Sequence, residues 1–465
     1  MTELHSRIGE ASHRFLEEIH TVDQQHPFEV SAEEMVALPE SVPACPSLSV
    51  RGGGTVALGQ AALDGILFGC SSAEVRRRAL VHHEQVAQSS LPILEELLGA
   101  RHELAATLGA RSFAEHALSN RVMQSPEAAM EFLRDLHGGL QPKIRQEVEL
   151  LQREKAAVEG PNSGVVEESD RRYMCRRVKE RLSPDGPSVT LGSCMKVLHF
   201  LTSSLWGVSL ELVPLRRGEH CSPDVLKVRV TEESPEGGSA RHLADVYMDL
   251  FSRSHKIGTT AAYVQQFPQH LYPQPPGVSF DQSTNDDDMH QEWSPARVTL
   301  VCHMPRAASR PVMLPLSAAE TLWHEWGHVL HVVLSRTRYQ HTAGTRCALD
   351  FVEMPSTLME AFFWDPRVLA MLDRSWSPSD LRALGARRLL FSGLEAQHQI
   401  FLAMADLQLH GADPRSVDLP SSLRRVHAEF RDSPLVPRMN VAQFSHLSGY
   451  AAGYYGYLLS KVLSS

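Results

Sequence analysis

The chain has 465 residues, 43% of them hydrophobic, enough to bury a large core and to form two or three domains. A net charge of -10, with no cluster of Lys or Arg, argues against a nucleic-acid or anionic-membrane surface. No apolar run approaches the roughly 20 residues of a membrane-spanning helix, and seven scattered cysteines without a CxxC pair read as reduced thiols.

Residues 1 to about 35 read as a helix, whose acidic residues are unlike an Arg-rich transit peptide. Residues 38–59, rich in Pro, Gly and Ser with RGGGT from Arg51, read as a turn-rich connection or a short hairpin. Ser71 and Glu74 suggest a capping box. Beyond them apolar residues recur at helical spacing to about His137, broken near Pro92, Gly109 and Pro126, with Ser125 an N-cap before Pro126. This part is a helical scaffold. Residues 143–158 form a charged amphipathic helix, followed by a solvated loop and by a second break at residues 182–192.

Strand signals then begin: VSLELVPL from Val208, VLKVRVTE from Val225, DVYMDLF from Asp245 and RVTLVCHM from Arg297. A long loop, residues 265–293, carries Asp286, Asp287 and Asp288, a solvated tip rather than a calcium site. The expected fold is mainly α, with a small sheet beside the helix described next. Residues 1–205 make a helical domain and residues 206–465 a second domain built around that helix.

That helix is SAAETLWHEWGHVLHVVL, from Ser317 to residue 334, with Ser317 as N-cap and Glu320 completing a capping box. It holds His-Glu-x-x-His at His324, Glu325 and His328. Residues four apart share a helix face, so both imidazoles can reach one ion with Glu325 beside them. Trp323, Trp326, Leu330, Val333 and Leu334 make the apolar side; Glu320, His324, His328, His331 and Ser335 make a polar stripe that needs partners. Gly327 lowers helix stability by roughly 1 kcal/mol relative to Ala, which suggests a closely packed neighbour.

The pentapeptide alone is weak, because a catalytic zinc takes three protein ligands and leaves a position for water. A metzincin extension is excluded, since it requires Gly in place of His331 and His in place of Leu334. DFVEMPSTLMEAFFWD follows from Asp350, and Pro355 belongs in a first helical turn, so Glu353 stands at the start of a second helix. Glu353 is the third ligand; Glu360 and Asp350 are candidates to orient the histidines. The plain alternative for Glu353 is a helix-start carboxylate facing the dipole. In the closing FSHLSGYAAGYYGYLLSKVLSS, Tyr450, Tyr454 and Tyr457 are spaced to share a helix face, with Gly449, Gly453 and Gly456 beside them. An aromatic core stripe is the bland reading; the glycine density favours close backbone approach to a ligand.

HEWGHVLH, RTRYQHTAGTRC, DFVEMPS and GYAAGYYGY together resemble the thimet/neurolysin-type zinc oligopeptidases, most of all their mitochondrial intermediate peptidase branch. The resemblance runs from about Ala73 to the last residues. It implies a zincin-like, helical, two-lobed body with a deep channel, residues 206–465 being the zincin-type catalytic domain, one Zn2+ on His324, His328 and Glu353, and a tail in which His446 and a tyrosine support the tetrahedral intermediate. Tyr457 and His446 lead as stabilisers, with Tyr450 and Tyr454 next. It further implies cleavage of short unstructured peptides, an octapeptide from the N-termini of imported precursors in the mitochondrial matrix. An exposed strand beside the zinc could take an extended peptide. Arg336, Arg338, His341 and Arg346 are a solvated loop or, alternatively, substrate contacts. Against the family the chain looks short at both ends, which leaves open a general oligopeptidase of the cytosol and a weak peptide-binding remnant. A monomer is expected, without nucleic acid or membrane as partner.

Overall fold

In a computed structural model the described residues are all of 1–465 except 26, 43–44, 47–52, 87, 183–187, 221, 223, 233–239, 254–255, 257–259, 271–292, 305–310, 338, 412, 415–417 and 439–440. The acidic run at residues 286–288 and Arg338 therefore lie outside the described residues. Helices dominate, as expected. The chain divides into two compact units, Met1–Asp185 with Arg387–Leu458, and Gly186–Ala386 with Leu459–Ser465. The sequence suggests a boundary near residue 205, whereas this division is discontinuous because residues 387–458 return to the first unit.

The first unit is a helical assembly whose cores are built from leucines and aromatics such as Phe15, Leu94, Leu97 and Leu409. Its opening helix stops at Gln25, and the single long helix anticipated there gives way to strand Phe28–Val30 and helix Ala32–Ala37. Pro27 explains the break, having no amide to continue the helix, and a capping box of Ser31 with Glu34 restarts it. The Pro- and Gly-rich stretch does pair, as a small three-stranded sheet of Phe28–Val30, Gly54–Val56 and Cys45–Pro46. After helix Gln60–Gly69, helix Ala73–Gln85 is capped by Ser72 rather than Ser71. Buried Arg76 donates to the carbonyls of Cys70 and Ser71, 2.9 and 3.1 Å away, and holds that turn open.

Helix Pro126–Glu159 starts on the Ser125 cap but does not break before residue 143; it passes through Pro142. Packing outweighs the lost hydrogen bond. Its Glu147 receives the Leu394 amide at 2.9 Å and lies against helix Ser392–Gly411.

The second unit is built on a five-stranded sheet, in spatial order Val208–Val213, Leu226–Glu232, Arg241–Phe251, Ala296–Met304 and Ala261–Gln266. Pairing is antiparallel except between Arg241–Phe251 and Ala296–Met304, where Leu300 sits opposite Met248. One face is apolar (Val228, Val246, Met248, Leu300) and shares a core with Leu322, Trp323, Trp326 and Val329 of helix Leu316–Leu334. The strand the sequence did not reveal, Ala261–Gln266, is an edge strand; AAYVQQ is as long as Val208–Val213 but lacks its alternation. Ser317 does not cap the motif helix. Strand Met313–Pro315 pairs with Ser188–Thr190 and leads straight into it, so Pro315 is the N-cap and Glu320 instead accepts the Trp364 indole N–H at 2.6 Å. Five cysteines, Cys70, Cys175, Cys194, Cys302 and Cys347, are free thiols.

Candidate metal centre

Helix Leu316–Leu334 presents His324 and His328 on one face, with ring centroids 5.1 Å apart. Helix Met354–Phe363 crosses it at Gly327. A Cβ there would lie 2.5 Å from Cα of Ser356 and 2.6 Å from the Pro355 carbonyl oxygen, so only glycine admits the crossing backbone. This is the close neighbour the glycine implied. Glu353 is the N-cap residue of that second helix, and its side chain makes no capping bond.

The Glu353 carboxylate turns to the histidines. Its Oε2 lies 3.1 Å from Nε2 of His328 and 3.3 Å from Nε2 of His324, close to the ~3.3 Å edge of a tetrahedron whose bonds are roughly 2.0–2.1 Å. The Ser356 hydroxyl donates to the same oxygen at 2.8 Å. Among the described residues, His324, His328 and Glu353 form the group able to hold a metal ion, their ligand atoms all within 4.8 Å of one another. Two imidazoles and a carboxylate suit a divalent ion of the zinc class.

Glu360, one helical face on from Glu353, reaches Nδ1 of His324 at 2.6 Å and fixes that ring with Nε2 directed at the centre. Nδ1 of His328 is buried without a hydrogen-bond partner, so the fully buried Asp350 does not orient it. Burial alone would lower His324, but the bonds from Glu353 and Glu360 outweigh it and raise its pKa to about 10. Glu353 is held well below the usual carboxylate range: burial opposes this, and the two imidazoles prevail.

Glu325 is only 5% exposed and its Oε2 has no hydrogen-bond partner. Burial pushes its carboxyl up, against the pull of His328 and His324, while the Ala262 amide of the edge strand donates to it. Glu325 is thus a buried carboxyl whose proton is held more tightly than that of an exposed glutamate. Because Ala262 belongs to Ala261–Gln266, that edge strand lies beside Glu325. In the following loop Arg336 is committed to Glu232 at 3.2 Å, and Arg346 bonds His341 at 2.6 Å while lying 4.3 Å over the Phe267 ring. These intramolecular partners favour the cap-like reading.

In the first unit, the closing segment is not the single helix that would align the tyrosines. A one-turn helix, His446–Gly449, is followed by a turn and by helix Tyr455–Leu463. The turn still gathers the rings: His446 stands 4.8 Å from Tyr450, 4.7 Å from Tyr454 and 5.7 Å from Tyr457 between centroids. A Cβ on Gly453 would lie 2.8 Å from Nη1 of Arg121 and 3.0 Å from the Tyr450 carbonyl oxygen, whereas one on Gly449 would meet nothing within 4 Å. Nε2 of His446 is buried without a hydrogen-bond partner. The Tyr454 hydroxyl is already bonded to Gln399 at 2.8 Å. Tyr450 is 44% exposed.

Two histidines one helical turn apart, a glutamate from a second helix and a buried glutamate between them define the HExxH-plus-glutamate class of metallopeptidase centre. The chain belongs to peptidase family M3, whose family model matches residues 66–465. Mitochondrial intermediate peptidase of Arabidopsis thaliana is 31% identical over 416 residues, covering 86% of this chain and 56% of that protein. The Homo sapiens mitochondrial intermediate peptidase is 32% identical over 389 residues, covering 81% of this chain and 51% of its own. The chain thus spans about half the length of the curated relatives it matches. The solved oligoendopeptidase-F from Enterococcus faecium overlays on 92% of this chain and 58% of its own at 12% identity, with a TM-score of 0.43, too low to carry an argument.

Proposed function

We propose that this chain is a zinc endopeptidase for short or extended peptides, with His324, His328 and Glu353 as ligands of one ion and Glu325 as the proton carrier. The convergence of the three ligand groups within 4.8 Å, with buried Glu325 on the same helical turn, carries this reading. When bound, zinc supplies Lewis acidity, polarising a carbonyl and acidifying water. Glu325 takes the proton from the attacking water and passes it to the leaving amine. The Ala262 amide steadies that carboxylate, and the edge strand Ala261–Gln266 offers main-chain groups to an extended peptide. His446 and Tyr457, then Tyr450 and Tyr454, are proposed as donors to the developing oxyanion, on the strength of the family resemblance and of their shared cluster. One such donor contributes about 3 to 4 kcal/mol.

The relatives' name, mitochondrial intermediate peptidase, supports a peptidase role in the mitochondrion; to this the family resemblance adds the finer reading, a monomeric enzyme that removes a short N-terminal segment, an octapeptide, from precursors in the matrix. Metal analysis with a quenched-peptide assay tests this. One zinc per chain and chelator-sensitive cleavage are expected. An octapeptide-bearing precursor should be cut in preference to an unrelated short peptide; equal rates would favour general peptide turnover. Stoichiometric zinc without cleavage would leave only a peptide-binding remnant.

A further inference from the structure

The segment from His446 to Tyr454 makes one helical turn and then an open turn, and buried polar side chains from two helices hold it at four backbone positions. Asp406, fully buried on helix Ser392–Gly411, accepts the Ala452 amide on Oδ1 and the Tyr454 amide on Oδ2, each at 3.0 Å. Arg101, 3% exposed on helix Leu91–Thr107, donates to the carbonyls of Leu447 at 2.5 Å and Ser448 at 2.7 Å. His410 joins the two, with Nδ1 3.0 Å from Asp406 and Nε2 3.0 Å from Arg101. A guanidinium can only donate, so Nε2 of His410 must accept and its proton sits on Nδ1, toward Asp406.

A buried carboxylate in an apolar core is costly unless every lone pair is used. Here the bonds are made to backbone that a helix or sheet would otherwise satisfy. Ala452, with φ 54°, occupies the left-handed region that favours glycine, and its amide is one of the two that Asp406 holds. Tyr450 lies between the two grips, His446 directly before the first, and Tyr454 at the second.

We propose that Asp406 is a positioning residue, which with Arg101 and His410 sets the backbone of residues 446–454 and so places the His446 and tyrosine rings for oxyanion stabilisation. This rests on the peptidase reading above. Asp406→Asn keeps the shape but turns one carboxylate oxygen into a donor, which then faces an amide that needs an acceptor.

Hydrogen exchange of the full chain tests the brace without any need for activity. The Ala452 and Tyr454 amides should be at least about a hundredfold slower than in unstructured peptide, and the variant should raise their exchange roughly 10- to 100-fold with the metal helix unchanged. In the peptide assay the variant should lose roughly 10- to 100-fold in kcat with little change in KM, as for a lost transition-state contact. Unprotected amides in the unaltered chain, an unchanged exchange pattern in Asp406→Asn, or a variant that loses KM alone would overturn the proposal. If the variant does not fold, protection in the unaltered chain decides. If His446→Gln and Tyr457→Phe leave kcat untouched, the oxyanion reading falls, and the brace is judged by exchange alone.

Discussion

The metal centre and the tyrosine cluster are held by opposite means. In the second unit, side chains converge from two regular helices, and one glycine lets those helices touch: His324 and His328 reach Glu353 because Gly327 admits the backbone at Ser356. In the first unit, the rings proposed as oxyanion donors sit on or beside a turn whose own backbone is gripped by Asp406 and Arg101. The first arrangement is set by helix geometry and tolerates little change in packing. The second is set by a few long-range polar bonds and tolerates little change in charge.

Substitutions should separate these two modes. The largest expected effect is that of Glu325→Gln, which keeps size and removes the base: kcat should fall by roughly 10²- to 10⁴-fold while metal content stays the same. Near-native turnover would reject Glu325 as the proton carrier. Next comes Gly327→Ala. Added helix propensity is worth only about 1 kcal/mol, whereas a methyl 2.5 Å from a backbone carbon must push the glutamate helix away. Overpacking of this kind costs typically 1–3 kcal/mol and sometimes more. Thermal unfolding and metal titration should both show a loss, and an unaltered metal affinity would mean that Glu353 does not depend on that crossing. Smaller still is Glu360→Gln. His324 would keep a hydrogen-bond partner but lose the carboxylate at 2.6 Å, so metal affinity should drop by roughly 10- to 100-fold. A competition titration that finds no change would show that Glu360 is dispensable as an orienting group.

How much of this is legible in the sequence follows the same division. The i, i+4 histidines, the proline that starts the second helix and the glycine that lets it approach are local signals, and each corresponds to a feature of the structure. The edge strand beside Glu325 is not legible, because AAYVQQ lacks the β-branched alternation of its neighbours. The break before residue 143 is misread for a related reason: Pro142 looks terminal until the packing around Glu147 is known. The tyrosine spacing suggests a helix face, but a carboxylate some 45 residues earlier overrides local preference and bends the segment into a turn. Asp406 itself, inside an apolar helical run, has nothing local to mark it. Its role depends on contacts distant in sequence.

The smallest effect contrasts the two units through their histidines. His83 and His398 line a cavity of about 300 Å³ in the first unit, and burial depresses both to about 4. In the second unit His324 is raised to about 10 despite its burial, by Glu353 and Glu360. The signs therefore differ. A histidine depressed on folding contributes stability that is full above its unfolded pKa of about 6.5 and is lost as pH falls toward 4. A raised one contributes stability that is full below about 6.5 and is lost as pH rises through its folded value. Discounted for solvent screening, each depressed histidine should contribute on the order of 1 kcal/mol between pH 6.5 and 4. Exchange-resolved unfolding in chelator, at pH 7 and pH 4.5, should show peptides from residues 60–85 and 392–411 opening earlier at the lower pH. Peptides from residues 316–334 should change less, since protonated His324 opposes the general acid loss there. Equal shifts in both sets of peptides would show that the two units do not differ in this respect.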